Sequence, residues 1–262
     1  MSQSSRRKAL AACALTVAAA MQLVSPPVAA GGWPSPYVYH RVGEAEGRKV
    51  VLEAETAYGT RDSRFFGRKG FEQLLRALVY PAAFVGIEAQ AGLLIQEGDS
   101  AGAASLKLLL NLIRQDRSLF DLQLGAGYVH DYRGADLPFF EFMAGKTIGP
   151  FDLRTTVRME IPLAEGRDEV DIMTGLAASA GLADWARLGI EVGLEDIEGF
   201  WEREEAEGGA KVVAGPTGWL ELGSGFSIKA NTSFVYAHLY NQVARTVPRF
   251  GFMGRLVLAY GF

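Results

Sequence analysis

Residues 151–161 constrain this chain more tightly than any other stretch. Phe151, Leu153, Thr155, Val157, Met159 and Ile161 share one parity, and Asp152, Arg154, Thr156, Arg158 and Glu160 share the other. Strand side chains alternate between two faces, whereas a helix would mix the two sets. The stretch therefore reads as a strand with one greasy face and one charged face. Twelve segments of strand length carry this period: 49–58, 73–80, 83–96, 103–114, 119–129, 139–147, 151–161, 170–180, 186–195, 210–222, 226–238 and 250–262. Pro216 interrupts the tenth and predicts a bulge or an early strand end there. The expected fold is all-β, an antiparallel up-and-down barrel of about twelve strands, with ten and fourteen as alternatives.

The connections add an independent signal, because short and long ones alternate. The short ones fall at 81–82, 115–118, 148–150, 181–185 and 223–225, and the longer ones at 59–72, 97–102, 130–138, 162–169, 196–209 and 239–249. Transmembrane barrels have short turns on one side and longer loops on the other. After Val24 no apolar run is long and charge-free enough for a membrane helix. A membrane protein with this sequence must therefore cross as a closed barrel, the remaining way to satisfy its backbone in lipid.

The first 30 residues read as a secretory leader. Arg6, Arg7 and Lys8 precede an apolar run from Ala9 to Val24, and Val28-Ala29-Ala30 supplies small residues for cleavage after Ala30. Leu10-Ala11-Ala12-Cys13 has the form of a lipoprotein box but follows the basic residues too closely to leave an apolar segment before the cysteine. Cys13 is the only cysteine, so a cleaved chain has no disulfide, thiolate chemistry or cysteine-based metal site. Residues 31–48 are expected to form a periplasmic lead-in or an arm within the lumen, and 49–262 the barrel.

The twelfth segment carries Leu256, Leu258, Tyr260 and Phe262 at alternate positions. A terminal Phe, a Tyr two residues earlier and alternating apolar residues behind them resemble the C-terminal signal of Gram-negative outer-membrane β-barrels. That resemblance implies outer-membrane localisation, the barrel-assembly machinery as a partner reading these four residues, and outer-membrane lipid around the strands. It also implies that the apolar faces point outward and the polar faces line a lumen. The lumen candidates are then Glu53, Glu55, Arg76, Glu88, Lys107, Asp121, Glu141, Asp152, Arg154, Arg158, Glu160, Asp171, Arg187, Glu191, Glu221, Lys229 and Arg255, with Gln90, Asn111, Gln123 and Asn231 among them. Opposite charges on neighbouring strands predict pairs: Glu53 and Glu55 with Arg76 and Arg255, Lys107 with Glu88 and Asp121, Arg154 and Arg158 with Glu141 and Asp171, and Lys229 with Glu221. Aromatics near segment ends, including Tyr58, Tyr80, Tyr128, Phe139, Phe151, Trp185, Phe226, Phe250 and Tyr260, are expected to form interfacial girdles.

Catalytic patterns are poor. His40, His130 and His238 show no metal spacing, and neither of the last two begins the His-x-Ser pair of outer-membrane phospholipases. His130-Asp131 is only loosely similar to acidic outer-membrane proteases. No enzyme activity, metal or cofactor is expected, and no sustained basic stretch suggests nucleic acid. Two loops have character. Arg61, Arg64, Arg68 and Lys69 make the first basic, a match for lipopolysaccharide phosphates, while Phe200, Trp201, Glu202, Glu204 and Glu205 make the fifth aromatic and acidic. Twelve strands lie between the side-chain-filled eight and the open sixteen. The expected function is a narrow porin- or transporter-like channel for small solutes. The rivals are a non-conducting structural or adhesive barrel, a lipid-acting outer-membrane enzyme and a soluble secreted ligand-binding barrel.

Overall fold

A computed structural model describes residues 50–59, 70–96, 99–115, 117–132, 134–163, 170–195, 197–200, 210–237 and 250–262. Twelve strands run through them: β1 Val50–Gly59, β2 Gly70–Ala82, β3 Val85–Gln96, β4 Asp99–Ile113, β5 Asp121–His130, β6 Asp136–Ile148, β7 Phe151–Glu160, β8 Asp171–Ala183, β9 Ala186–Glu195, β10 Lys211–Gly223, β11 Phe226–Ala237 and β12 Phe250–Gly261. Each pairs antiparallel with its sequence neighbours, and β1 pairs with β12, closing the ring. At the seam Val50 and Phe262 exchange two backbone hydrogen bonds of 3.0 Å. The aromatic Phe262 is thus the end of the closing stave. Residues 1–30, expected as a leader, residues 31–48 and the basic stretch 61–69 lie outside the described residues.

The Val50–Phe262 contact lies at the end of the barrel that carries the tight turns. Ala83–Phe84, Gly149–Pro150, Asp184–Trp185 and Ser224–Gly225 each join two strands there. Ser224 and Gly225 have φ of 51° and 86°, the left-handed pair that a type I′ hairpin needs. Connections at the opposite end include 60–69, 161–170, 196–210 and 238–249. Two connections break the expected sorting by length. The one between β3 and β4 shrinks to residues 97–98, because β4 begins at Asp99 rather than Ala103. Its Ser100-Ala101-Gly102-Ala103 start has no size contrast to reveal alternation, yet Ala101 and Ala103 point inward and are buried. On the turn side, 114–120 is longer than expected because Leu119 and Phe120 sit in a bend before β5.

Pro216 does not end β10. It pairs with Ile190 on β9, and the ladder to β11 passes from Ala214↔Phe234 to Thr217↔Asn231 without a change of register. The Asn231 side chain donates to the Pro216 carbonyl at 3.2 Å. The missing proline N–H therefore leaves a local gap in one ladder and no bulge.

From Glu53 the line of paired residues runs through Arg76, Gln90, Ser105, Val129 and Leu137. It begins near the turn end of β1 and finishes at the loop end of β6, so the strands lean steeply, as closure of a barrel demands. The faces sort as in a membrane barrel. Leu256 and Leu258 are 46% and 51% exposed on the outside, while Val257 between them is 3% exposed inside. Aromatic contacts mark both ends of the same two strands. Phe226 lies 4.4 Å from Tyr260 at the turn end, and Phe234 lies 5.6 Å from Phe250 at the loop end. Phe250 and Tyr260 are ten residues apart on β12, about 33 Å of strand. A lean of about 40° projects this to roughly 25 Å, the height of an outer-membrane apolar band. Two expected girdle members are not outside at all: Tyr80 and Phe139 point inward, 6% and 2% exposed. Lying near a strand end gives a residue its height but not its face.

Candidate functional site: a charged lumen

All seventeen charged lumen candidates lie on the inward parity of their strands. The middle of the lumen holds a ladder of alternating signs. Lys229 on β11 meets Glu53 on β1 at 3.1 Å, and Glu53 also pairs with Arg76 on β2. Arg76 lies 3.9 Å from Glu88 on β3, Glu88 3.2 Å from Lys107 on β4, and Lys107 3.0 Å from Glu141 on β6. Beside the ladder Arg255 pairs with Glu55 at 2.8 Å across the seam. The expected seam pairs therefore form. Charges taken this far from bulk water require opposite partners, because an unpaired buried ion costs several kcal/mol.

Other expected pairs are rearranged. Lys107 takes Glu88 as expected but reaches Glu141 instead of Asp121. It crosses β5 at Gly125, where a side chain would stand 3.2 Å from the lysine stem. Asp121 pairs instead with Arg154 at 3.7 Å, across Gly145 on β6. In both cases a glycine on the intervening strand lets a long cation pass over it. Arg154 also grips Asp152 on its own strand, through Nε at 3.0 Å and Nη2 at 2.8 Å. Arg158 pairs with Glu160 at 2.6 Å and stacks 3.7 Å from the centre of the Phe139 ring, rather than joining Glu141 or Asp171. Lys229 lies over Trp219 at 5.3 Å and bonds Glu53 on β1.

Several inward polar residues fall outside the set of sequence candidates. Glu72, Glu195 and Lys211 all face the lumen, and Lys211 bonds Glu195 at 3.3 Å. Glu72 shares parity with Leu74 and Arg76, but it falls in a stretch that reads as a loop. Glu195 and Lys211 share parity with Glu191 and Val213, a signal that could have found both. Counting only strand residues whose side chains are described, the inward carboxylates are twelve: Glu53, Glu55, Glu72, Glu88, Asp121, Glu141, Asp152, Glu160, Asp171, Glu191, Glu195 and Glu221. The inward cations are eight: Arg76, Lys107, Arg154, Arg158, Arg187, Lys211, Lys229 and Arg255.

The two ends of the lumen differ. At the loop end one cluster of buried apolar residues spans β10 to β12 and β1 to β6, and includes Leu74, Leu94, Val129, Leu137, Val213, Val235 and Met253. The β5–β6 loop folds into it. Asp131 accepts the Ala135 N–H at 2.8 Å, and Tyr132 donates its hydroxyl to Glu72 on β2. Burial and the Glu72 carboxylate raise the Tyr132 phenol well above its usual range, so it stays a donor. At the turn end a cavity of about 630 Å³ is lined by Pro150, Trp185, Arg187, Trp219 and Glu221, among others. Arg187 is anchored there on the Pro150 carbonyl at 3.1 Å.

The other sequence candidates lie away from the ladder. Leu256, Leu258 and Phe262 are exposed on the outer face, and the Tyr260 ring packs between Phe226 and Phe262. Phe200 is half-buried in a 3₁₀ turn at Ile197–Phe200. Arg61, Arg64, Arg68, Lys69, Trp201, Glu202, Glu204 and Glu205 lie outside the described residues. His130 and Asp136 meet at 2.9 Å, both about half exposed on the outer face, so His130 turns away from the lumen. Among the described residues no group of three or more His, Cys, Asp or Glu could hold a metal ion.

No protein-family model matches this chain, and no curated protein matches it. Solved structures do. The NanC porin superposes with a TM-score of 0.57 at 7% identity, covering 80% of this chain and 100% of that one. The KdgM porin in complex with a disordered oligogalacturonate gives 0.56 at 8% identity, covering 80% and 99%. The COG4313 outer-membrane channel of Pseudomonas putida F1 gives 0.55 at 12% identity, covering 87% and 99%. At these identities the shared property is the fold: this chain has the closed antiparallel barrel of outer-membrane porins and channels.

Proposed function

We propose that this chain is an outer-membrane channel, a narrow porin-like passage for small solutes. One observation carries the reading: a closed ring of strands turns large apolar side chains outward and a ladder of charges inward. Lipid stabilises the first face, and a water-bearing lumen the second. The similarity in fold to solved porins and channels supports it. The KdgM porin holds an oligogalacturonate, a polyanion. Here inward carboxylates outnumber cations twelve to eight, which favours neutral or mixed-charge solutes over polyanions. The same reading has residues 1–30 export the chain and the Leu256–Phe262 pattern engage the barrel-assembly machinery. It sets the basic loop against lipopolysaccharide and assigns the chain no catalytic step.

A second reading is a barrel that does not conduct and acts through its loops. The dense pairing of buried lumen charges supports it, since such pairs hold a wall as well as they line a path. The test is to refold residues 31–262 in detergent and record current across planar bilayers. Stable steps, changed in size by Arg154→Ala or Arg158→Ala, support the channel. A folded, heat-modifiable and silent barrel supports the second reading.

A further inference from the structure

The β5–β6 loop is the part of the described loop end that reaches across the lumen. Its backbone is tightly tied: Asp131 donates its N–H to the Ala135 carbonyl at 2.9 Å, and Gly134 donates to the Asp131 carbonyl at 3.0 Å with φ of 77°. Asp131 and Tyr132 are 0% and 3% exposed, so this side of the loop is interior. The Tyr132 ring passes in front of β4 and β3 to meet Glu72 on β2. The wall makes room for it. A side chain at Gly92 would run into the Tyr132 hydroxyl, and β4 presents only Ala101 and Ala103 at this height. Around the ring lie the apolar side chains of the loop-end cluster.

We infer that the Tyr132–Glu72 contact is a latch that holds the β5–β6 loop across the outer mouth and keeps the channel closed. The inference rests on the channel reading above. Apolar constrictions stop water and ions by dewetting, so a mouth narrowed by this cluster conducts only when the Tyr132 ring withdraws. The loop is too short and too firmly tied to unfold locally, which leaves swinging Tyr132 away from Glu72 as the motion that clears the mouth. A hydrogen bond to a buried carboxyl is a fitting latch: strong enough to bias the closed state, weak enough to release.

Two substitutions test the latch by different routes. Tyr132→Phe removes the hydroxyl, and Gly92→Ala pushes the ring from its seat while keeping both hydrogen-bonding groups. Residues 31–262 and both variants are recorded in planar bilayers, with gel mobility before and after heating as the check on folding. The expected result is brief, infrequent openings in the parent and roughly tenfold more open time in each folded variant. Folded variants that gate like the parent, or a parent that stays open, overturn the latch and leave the channel reading standing. Folded barrels that pass no current in any form overturn both.

Discussion

The loop end and the turn end of this lumen are built on opposite principles. At the loop end Leu94, Val129, Leu137 and Met253 are all fully buried, and a tyrosine from a connecting loop is tied down among them. At the turn end a cavity of about 630 Å³ opens beside Arg187, Trp185 and Glu221, and two-residue turns leave it uncovered. Between them runs the charge ladder from Lys229 to Glu141. On the channel reading, the described residues put the constriction on the loop side and a vestibule on the turn side.

The sharpest challenge to this division is the ladder itself. Glu53 serves both Arg76 and Lys229. Its replacement by Ala takes one buried carboxylate from two inward cations at once, so unfolding in urea should lose about 3–5 kcal/mol. If the loss is no larger than for an exposed turn residue, the ladder does not separate the two ends. Next comes the loop-end packing. Leu137→Ala should cost about 2–5 kcal/mol in the same assay. Trp185→Ala at the turn end, with Trp185 61% exposed, should cost under about 1 kcal/mol. Equal costs would erase the contrast. Sized polyethylene glycols offer a functional counterpart. Added on the turn side they should depress conductance at larger polymer sizes than when added on the loop side, and a symmetrical response would contradict the vestibule. The smallest effect belongs outside the lumen: His130→Ala, removing an exposed pair, should change stability by no more than about 0.5 kcal/mol.

What the sequence made legible follows from what each kind of signal can carry. Strand period made β7 and the ring of twelve readable, and neighbouring charges made the Glu53–Arg76 pair and the Glu55–Arg255 pair across the seam readable, because each joins adjacent strands. Contacts that skip a strand were not readable. Lys107 reaches Glu141, and Arg154 reaches Asp121, only because Gly125 and Gly145 leave room between them. Alternation on single strands carries no information about such crossings. The Tyr132 tether was hidden for a related reason: a loop residue has no parity, so nothing local tells whether it folds in or out. Phe139 and Tyr80 mislead because a place near a strand end fixes height and leaves direction open. The small residues at 100–103 concealed the start of β4, and the two inward ones, Ala101 and Ala103, lie where the Tyr132 ring passes.

The most direct test of the account is a cysteine scan along β12 in proteoliposomes. Cys13 is the only native thiol, so a chain starting at residue 31 is free of background. Single cysteines at 252 to 259 would be challenged with a charged, water-soluble thiol reagent applied from the turn side. The prediction is reaction at the inward positions Ala259, Val257 and Arg255, declining toward Met253 at the loop end, with Leu256, Leu258 and Phe252 protected by lipid. Reaction at the even positions and protection of the odd ones would mean a barrel turned the other way in water, and would contradict the account.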